Sequence, residues 1–318
     1  MTNLVLLTGG FGNVGGRFAE FLTEKNITNI RLTSRTLRTP PRWAPSATTV
    51  ECDLRDPKSL KRACEGVETI FHFAALNDRE CLESPQRAHD VNVVGTENLI
   101  NAAISQNVKH IVYMSTIHVY GNPLVGHLDE SSPTNPTHPY GITHLAAEDV
   151  LRNRSSEISS TIIRSGNGFG FPMTIDVNIW HIIVNDLCKQ AVKNRDLILK
   201  SPANIERNFI TLRDICRALY FVGFEVDPHN KSIVFNLGSQ RSRTLREMAD
   251  IISSSCKNTL GFTPKIIELS PLSNEEANLN FDSTRIRNSG FATEERFEEE
   301  IDGILHLLTE ERGSYEPS

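Results

Sequence analysis

Thr8-Gly9-Gly10-Phe11-Gly12-Asn13-Val14-Gly15 is the segment whose residue types and spacing point most directly to chemistry. The apolar run Leu4-Val5-Leu6-Leu7 precedes it, and Val14, Phe18, Phe21 and Leu22 follow at helical spacing. A strand, a glycine turn and a helix in that order form a cradle for a pyrophosphate. Gly9 allows the tight turn, Gly12 lets the anion approach the backbone, and Gly15 lets helix and strand pack closely. The helix start at Asn13 and Val14 adds free N–H groups and the positive end of a dipole. The chemistry implied is the binding of a dinucleotide.

The residues after the second strand choose between dinucleotides. An acid there binds the adenosine ribose hydroxyls and repels a 2′-phosphate. Ile30-Arg31-Leu32-Thr33 is followed by Ser34 and Arg35, with Arg38 near and no acid. Arg35 can make a bidentate contact to a 2′-phosphate, on the order of 1.5–3 kcal/mol. This favours NADP, with NAD as the alternative; a solvated Arg35, or one stacked on adenine, is the other reading. Asp53 and Leu54, after the next strand, either meet the adenine ring or make a turn. No histidine cluster has metal spacing. The six cysteines are scattered without a CxxC pair, which argues against zinc and disulfides and for a reducing cytosol.

The elements that must position these residues alternate. Asp56-Pro57 caps a short helix that Gly66 ends. Thr69–Phe73, His110–Met114, Thr161–Arg164 and Ile233–Asn236 read as strands, and residues 87–106 read as helical. Such alternation predicts an α/β fold: a Rossmann-like, doubly wound parallel sheet with a small C-terminal substrate-binding lobe. Residues 1–170 plus 208–245 are expected in the dinucleotide-binding domain, and 171–207 plus 246–318 in the lobe. Phe297, Ile301, Ile304, Leu305 and Leu308 give the last helix an apolar face. The acidic run Glu298-Glu299-Glu300 is expected on its solvated side.

Several motifs in order resemble the extended short-chain dehydrogenase/reductases of the NAD-dependent epimerase/dehydratase family, over almost the whole length. The glycine loop is similar to TGGxGxxG. Phe71-His72-Phe73-Ala74-Ala75 resembles the HxAA segment, which implies Ala74 and Ala75 beside the nicotinamide; His72 reads as a packed strand-end residue. Ser115-Thr116-Ile117-His118-Val119-Tyr120-Gly121 resembles the strand end that carries the catalytic hydroxyl, which maps onto Thr116. Pro139-Tyr140-Gly141 resembles the start of the YxxxK helix, which makes Tyr140 the acid/base. Arg164-Ser165-Gly166-Asn167-Gly168-Phe169-Gly170 resembles RxxNxxG, whose Asn meets substrate. Arg207-Asn208-Phe209 resembles the RDF segment before a sugar-nucleotide site, and Asn236-Leu237-Gly238-Ser239 resembles a later NxGS turn.

Where the family has Lys four residues after the Tyr, this chain has His144. Positions i and i+4 share a helix face, so Tyr140 and His144 converge on one cofactor. An unperturbed His is roughly a quarter charged at pH 7, whereas Lys is almost fully charged. Three readings stay open: His144 is a working substitute, the cofactor's own charge suffices, or the chain binds a dinucleotide with little chemistry.

The resemblance implies an NAD(P)-dependent oxidoreductase or epimerase of a nucleotide-linked sugar. The alternatives are a dinucleotide-sensing regulator, or a reductase of a non-nucleotide carbonyl compound. His118 either touches a substrate hydroxyl or is a loop histidine. Arg207, Arg285 and Arg287 either clasp a substrate diphosphate or make surface ion pairs. Relatives pair through the helices near Asn92 and Tyr140, so a homodimer is expected; Val91, Val94, Leu99, Ala103, Ala146 and Val150 serve that interface or the core.

The 318 residues carry 33 Lys plus Arg against 39 Asp plus Glu, a net charge of -6. That balance is a poor match to a nucleic-acid backbone. No apolar run approaches the roughly 18 residues of a bilayer span, and the N-terminus lacks the pattern of a secretory signal.

Overall fold

The computed structural model describes residues 3–226, 231–273 and 278–314, with side chains to residue 310. Seven strands build one sheet: β1 (Leu4–Thr8), β2 (Ile30–Ser34), β3 (Thr48–Glu51), β4 (Val67–His72), β5 (His110–Thr116), β6 (Ser159–Ser165) and β7 (Ser232–Leu237). Their order is β7-β6-β5-β4-β1-β2-β3, and every neighbouring pair is parallel. The chain leaves β1 toward β2 on one side and returns at β4 on the other. Open parallel sheets bind ligands at that reversal, beyond the carboxyl ends of the strands. Thr8 lies opposite His72 there, so the ends of β1 and β4 frame the crevice.

Both faces of the sheet are covered, which is why the central strands are apolar in nearly every position. Val5, Leu7, Leu32 and Phe71 pack with Phe18 and Leu22 of α1 (Asn13–Glu24). Leu6, Ile70, Ile111 and Tyr113 pack on the other face, with Leu60 of α2 (Pro57–Ala63), Leu99 and Ala103 of α3 (Gly95–Ser105) and Ala147 and Leu151 of α4 (Pro139–Asn153). Leu99 and Ala103 therefore serve this chain's own core, while Val94 and Ile142 stay exposed. The Asp56 carboxylate accepts from the N–H groups of Lys58 and Ser59 at the start of α2, the cap read from the sequence. The helical stretch around 87–106 is interrupted by a wider, π-helical turn at His89–Val94 before α3 begins.

The C-terminal lobe has its own core. Leu187, Cys188 and Ala191 of α5 (Ile183–Asn194) meet Met248 and Ile252 of α7 (Leu245–Leu260) and Ile301, Ile304 and Leu305 of α8 (Phe297–Ser314). Helix α6 (Leu212–Tyr220) packs instead against the sheet, through Ile215 and Leu219. A two-stranded parallel sheet, Asp196–Leu199 with Lys265–Glu268, completes the lobe; periodicity gave no sign of so short a pairing.

The acidic run of α8 is a correction. Glu300 is buried, not solvated. Its carboxylate takes a bidentate pair from Arg17 at 2.9 and 3.0 Å and the backbone N–H of Arg213 at 3.0 Å. Burial of a charge is tolerated only with such partners, and Arg17 lies 283 residues away, beyond any local pattern. This joint ties the lobe to α1, behind the glycine loop.

Candidate active site

The glycine loop is shaped by close contacts. Gly9 has φ +66°, and a Cβ there would lie 2.9 Å from the backbone nitrogen of Ala74. A Cβ on Gly15 would overlap the carbonyl oxygen of Gly9. Gly12 takes the N-cap position of α1 and supplies no side-chain cap, so the first turn keeps donors for an outside anion. Beside it the Asn13 Oδ1 atom is buried with no partner among the described residues.

This loop opens into a cleft of about 670 Å³ that runs to the C-terminal lobe. Gly9, Gly12, Asn13, Val14 and Gly15 line it together with Thr116, Tyr140 and His144 and with His118, Asn167 and Arg207. The sequence thus separates by up to 198 positions residues that the fold brings to one cavity.

Helix α4 begins where Pro139 fixes the backbone and the His138 ring accepts from the Tyr140 N–H at 3.2 Å. Tyr140 then faces the cleft. Burial, with Asp78 and Cys81 nearby, holds its phenol well above the usual range, and the Thr116 hydroxyl pulls the other way. Thr116 ends β5, and its oxygen also accepts from the His118 N–H at 3.2 Å. One turn along α4, the His144 ring stands edge-on to Tyr140 with centroids 4.4 Å apart.

His144 is only 3% exposed. Burial, helped by His72 and His118, pushes its pKa down to about 3. The protonated fraction at pH 7 is then about 10⁻⁴, not the quarter expected of an unperturbed ring. The neutral imidazole is favoured because desolvation dominates and no carboxylate among the described residues is paired with the ring. Its Nδ1 is 2.8 Å from the Tyr113 hydroxyl, and its Nε2 has no partner among the described residues.

His72 is the packed residue expected, with Nδ1 on Thr8 at 2.7 Å and Nε2 on Thr96 at 2.9 Å. Burial pushes it to about 3, and pushes His118 to about 4 with Arg207 adding to the effect. Asn167 donates to the Asn208 carbonyl at 3.0 Å. Arg207 is half-buried, and no carboxylate pairs with it among the described residues.

Other expected residues sit on the rim or away. Arg35 is exposed at the end of β2. Asp53 is held by the Arg55 guanidinium at 3.0 and 2.7 Å, which lowers its pKa. Leu54 is buried against Gly95. Ala74 abuts Gly9, and Ala75 lines the cleft. Arg285 is not brought to the cleft: its guanidinium donates to the Val234 carbonyl at 3.1 Å and faces Glu130. Arg287 likewise turns to Thr284 and Asp282.

Sequence reasoning missed Tyr113, which reads as an ordinary strand residue. It also missed the pair of Asp78 and His181, 3.0 Å apart, which joins the two sides of the cleft.

The chain is similar to known proteins over most of its length. Residues 5–238 match the model of the NAD dependent epimerase/dehydratase family. A Methanocaldococcus jannaschii protein that carries the provisional name of a UDP-glucose 4-epimerase is 28% identical over 311 residues, 96% of this chain and 98% of its own. The UDP-glucose 4-epimerase of Halalkalibacterium halodurans is 26% identical, covering 84% of this chain and 83% of its own. The UDP-glucose 4-epimerase of Thermus thermophilus, solved as a complex with NAD, superposes with a TM-score of 0.78 at 21% identity over 96% of this chain and 98% of its own. That of Stenotrophomonas maltophila, with bound NAD and formylated UDP-arabinopyranose, reaches a TM-score of 0.84 at 18% identity over 98% and 99%. These two show the shared fold.

Proposed function

Since the chain belongs to the NAD dependent epimerase/dehydratase family, as an enzyme of the extended short-chain dehydrogenase/reductase type, we propose that it moves hydride between a nicotinamide dinucleotide and a hydroxyl-bearing carbon of a nucleotide-linked sugar. The observation that carries this reading is one cleft holding Thr116, Tyr140 and His144 beside a glycine loop with an uncapped helix start.

The residues present fit the cofactor. The glycines leave room that a Cβ would fill, and the buried Asn13 Oδ1 and His144 Nε2 lack partners among the described residues. Gly12, Asn13 and Val14 would hold the pyrophosphate, and Ala75 and His144 the nicotinamide half. When bound in its oxidised form, the dinucleotide supplies a hydride acceptor and one positive charge. Thr116 holds the sugar hydroxyl by a hydrogen bond. Tyr140 takes the hydroxyl proton as the carbon loses hydride, and returns it in the reverse direction. Burial keeps that phenol protonated until a positive charge arrives, since His144 brings none. Arg207 answers the substrate diphosphate.

The dinucleotide we favour is NADP. Arg35 is exposed at the end of β2, Arg38 lies over Phe11 of the glycine loop at 5.0 Å, and Asp53, which also feels the charge of Arg35, is engaged by Arg55. NAD is the second reading, because solved relatives of this fold were obtained with it.

The test is absorbance at the reduced-nicotinamide band after addition of nucleotide sugars to the protein with NADP or NAD. A change that Tyr140→Phe abolishes, with dinucleotide binding retained, is expected. Tight binding with no change for any sugar would favour a sensing role instead.

A further inference from the structure

We propose that Tyr113 is a positioning residue that locks His144 as the Nε2–H tautomer, so that a neutral imidazole presents one fixed hydrogen-bond donor to the cleft. The dinucleotide as its recipient rests on the reading above; the lock itself does not.

The argument is a count of hydrogens. Tyr113 is 2% exposed, and among the described residues its hydroxyl meets one partner, His144 Nδ1 at 2.8 Å. A neutral imidazole carries one N–H. If Nδ1 carried it, Nδ1 would donate to the phenol oxygen, and the phenol hydrogen would be buried with no acceptor. If Nε2 carries it, the phenol donates to Nδ1, and the hydrogen left without a partner among the described residues is the Nε2–H, on a ring that lines the cleft, where a ligand can accept it. The first arrangement strands the phenol hydrogen inside the fold and leaves Nε2 a bare acceptor as well, one unmet buried group more than the second, a penalty of about tenfold in population. Nε2 then bears the hydrogen, and Nε2 is the atom left unpartnered on a cleft-lining residue.

The neighbouring histidine shows the contrast. His72 has both nitrogens tied to threonine hydroxyls inside the fold and none left for a ligand. Tyr113 also stacks between these rings, at 5.5 Å from His72 and 5.8 Å from His144, which holds its hydroxyl in place. Position 144 thus keeps the donor of the family's lysine and drops its charge. The groups facing it are Tyr113 and His72 from the sheet, His118 from the loop after β5, and Tyr140 from its own helix.

The experiment is long-range proton–nitrogen NMR on the full chain labelled with ¹⁵N-histidine and free of dinucleotide, with the His144 ring assigned by its loss in His144→Gln. Nε2 is expected to be protonated and Nδ1 to be a bare acceptor. In Tyr113→Phe, which keeps the ring and removes only the hydroxyl, the single tautomer should give way to exchange between both. Dinucleotide binding should weaken about twofold, the share of rings no longer held as the Nε2–H tautomer. An Nδ1–H ring in the wild type, an imidazolium, or an unchanged tautomer in Tyr113→Phe would each overturn the lock. If that variant does not fold, the wild-type spectrum decides alone. Loss of the cofactor reading would show separately, as no binding of NADP or NAD by a wild type with the expected spectrum.

Discussion

Replacing His144 by Lys isolates the one electrostatic feature in which this site departs from its family. Burial pushes the wild-type ring down to about 3, so it is neutral across the pH range assayed below. A lysine at this position would place its ammonium beside the Tyr140 ring, which now lies 4.4 Å from the imidazole. Two charges about 5 Å apart at an effective dielectric of about 20 interact by roughly 3.3 kcal/mol, or about 2.4 pKa units. The sign follows from the state favoured. A cation stabilises phenolate, so the Tyr140 pKa falls, and the rising limb of the oxidation rate moves to lower pH. The assay is the pH dependence of kcat/KM for oxidation of a nucleotide sugar, from pH 5 to 10, in both proteins. The Lys variant should rise about two units earlier and be the faster protein at pH 7. Superimposable profiles would refute the reasoning. So would a wild-type rate that falls with a midpoint near 6.5 and a Lys variant that does not, since His144 would then be working as a cation.

Three further outcomes are expected. Gly15→Ala forces the first turn of α1 away from the Gly9 carbonyl; isothermal titration should show dinucleotide affinity reduced at least tenfold, the cost of one misplaced charge-assisted contact. Arg35→Ala should weaken NADP by about tenfold to a hundredfold while leaving NAD within about twofold, the share of one charge-assisted contact to a 2′-phosphate; equal losses for both would remove the NADP reading. Glu148→Gln leaves the buried Arg164 guanidinium short of its charge partner, which costs on the order of 3–5 kcal/mol and should lower Tm by about 10 °C in calorimetry.

What could be read from the chain alone was whatever depended on local periodicity or on spacing within one turn. The glycine loop is such a feature: a strand, three glycines and a helix are neighbours in sequence, and their contacts, Gly12 N–H to Gly9 oxygen at 2.9 Å for one, are local. The parallel order of the sheet followed from alternation, and the Tyr140–His144 pair from the four-residue helical repeat. Features set by distant partners were hidden. Glu300 looked solvated beside Glu298 and Glu299 because Arg17 is far along the chain. Arg285 looked like a diphosphate ligand because nothing nearby in sequence showed that Val234 would take its hydrogen bond. The charge of His144 was left open for a deeper reason: residue type supplies only the reference pKa, and the desolvation that shifts it belongs to the fold.

Helix α4 shows how the fold transmits that desolvation to the site. Tyr140, His144 and Glu148 recur every four residues on one face, an advance of about 6 Å per step. Strand β5 offers Tyr113 and Ser115 on the facing side, two residues apart, an advance of about 6.6 Å. The two repeats nearly match, so the rungs align: Tyr113 meets His144 at 2.8 Å and Ser115 donates to Glu148 at 2.6 Å. Glu148 is further clamped by Arg164 at 2.7 Å from the next strand. A helix held by two rungs and a buried ion pair cannot slide by a residue without stranding a carboxylate, a guanidinium and an imidazole together. The phenol at its open end is therefore carried to the cleft by contacts that never touch a ligand. Changes at Glu148 or Ser115 should accordingly reach the chemistry as altered geometry at Tyr140 and His144 together, with kcat lowered and dinucleotide affinity weakened.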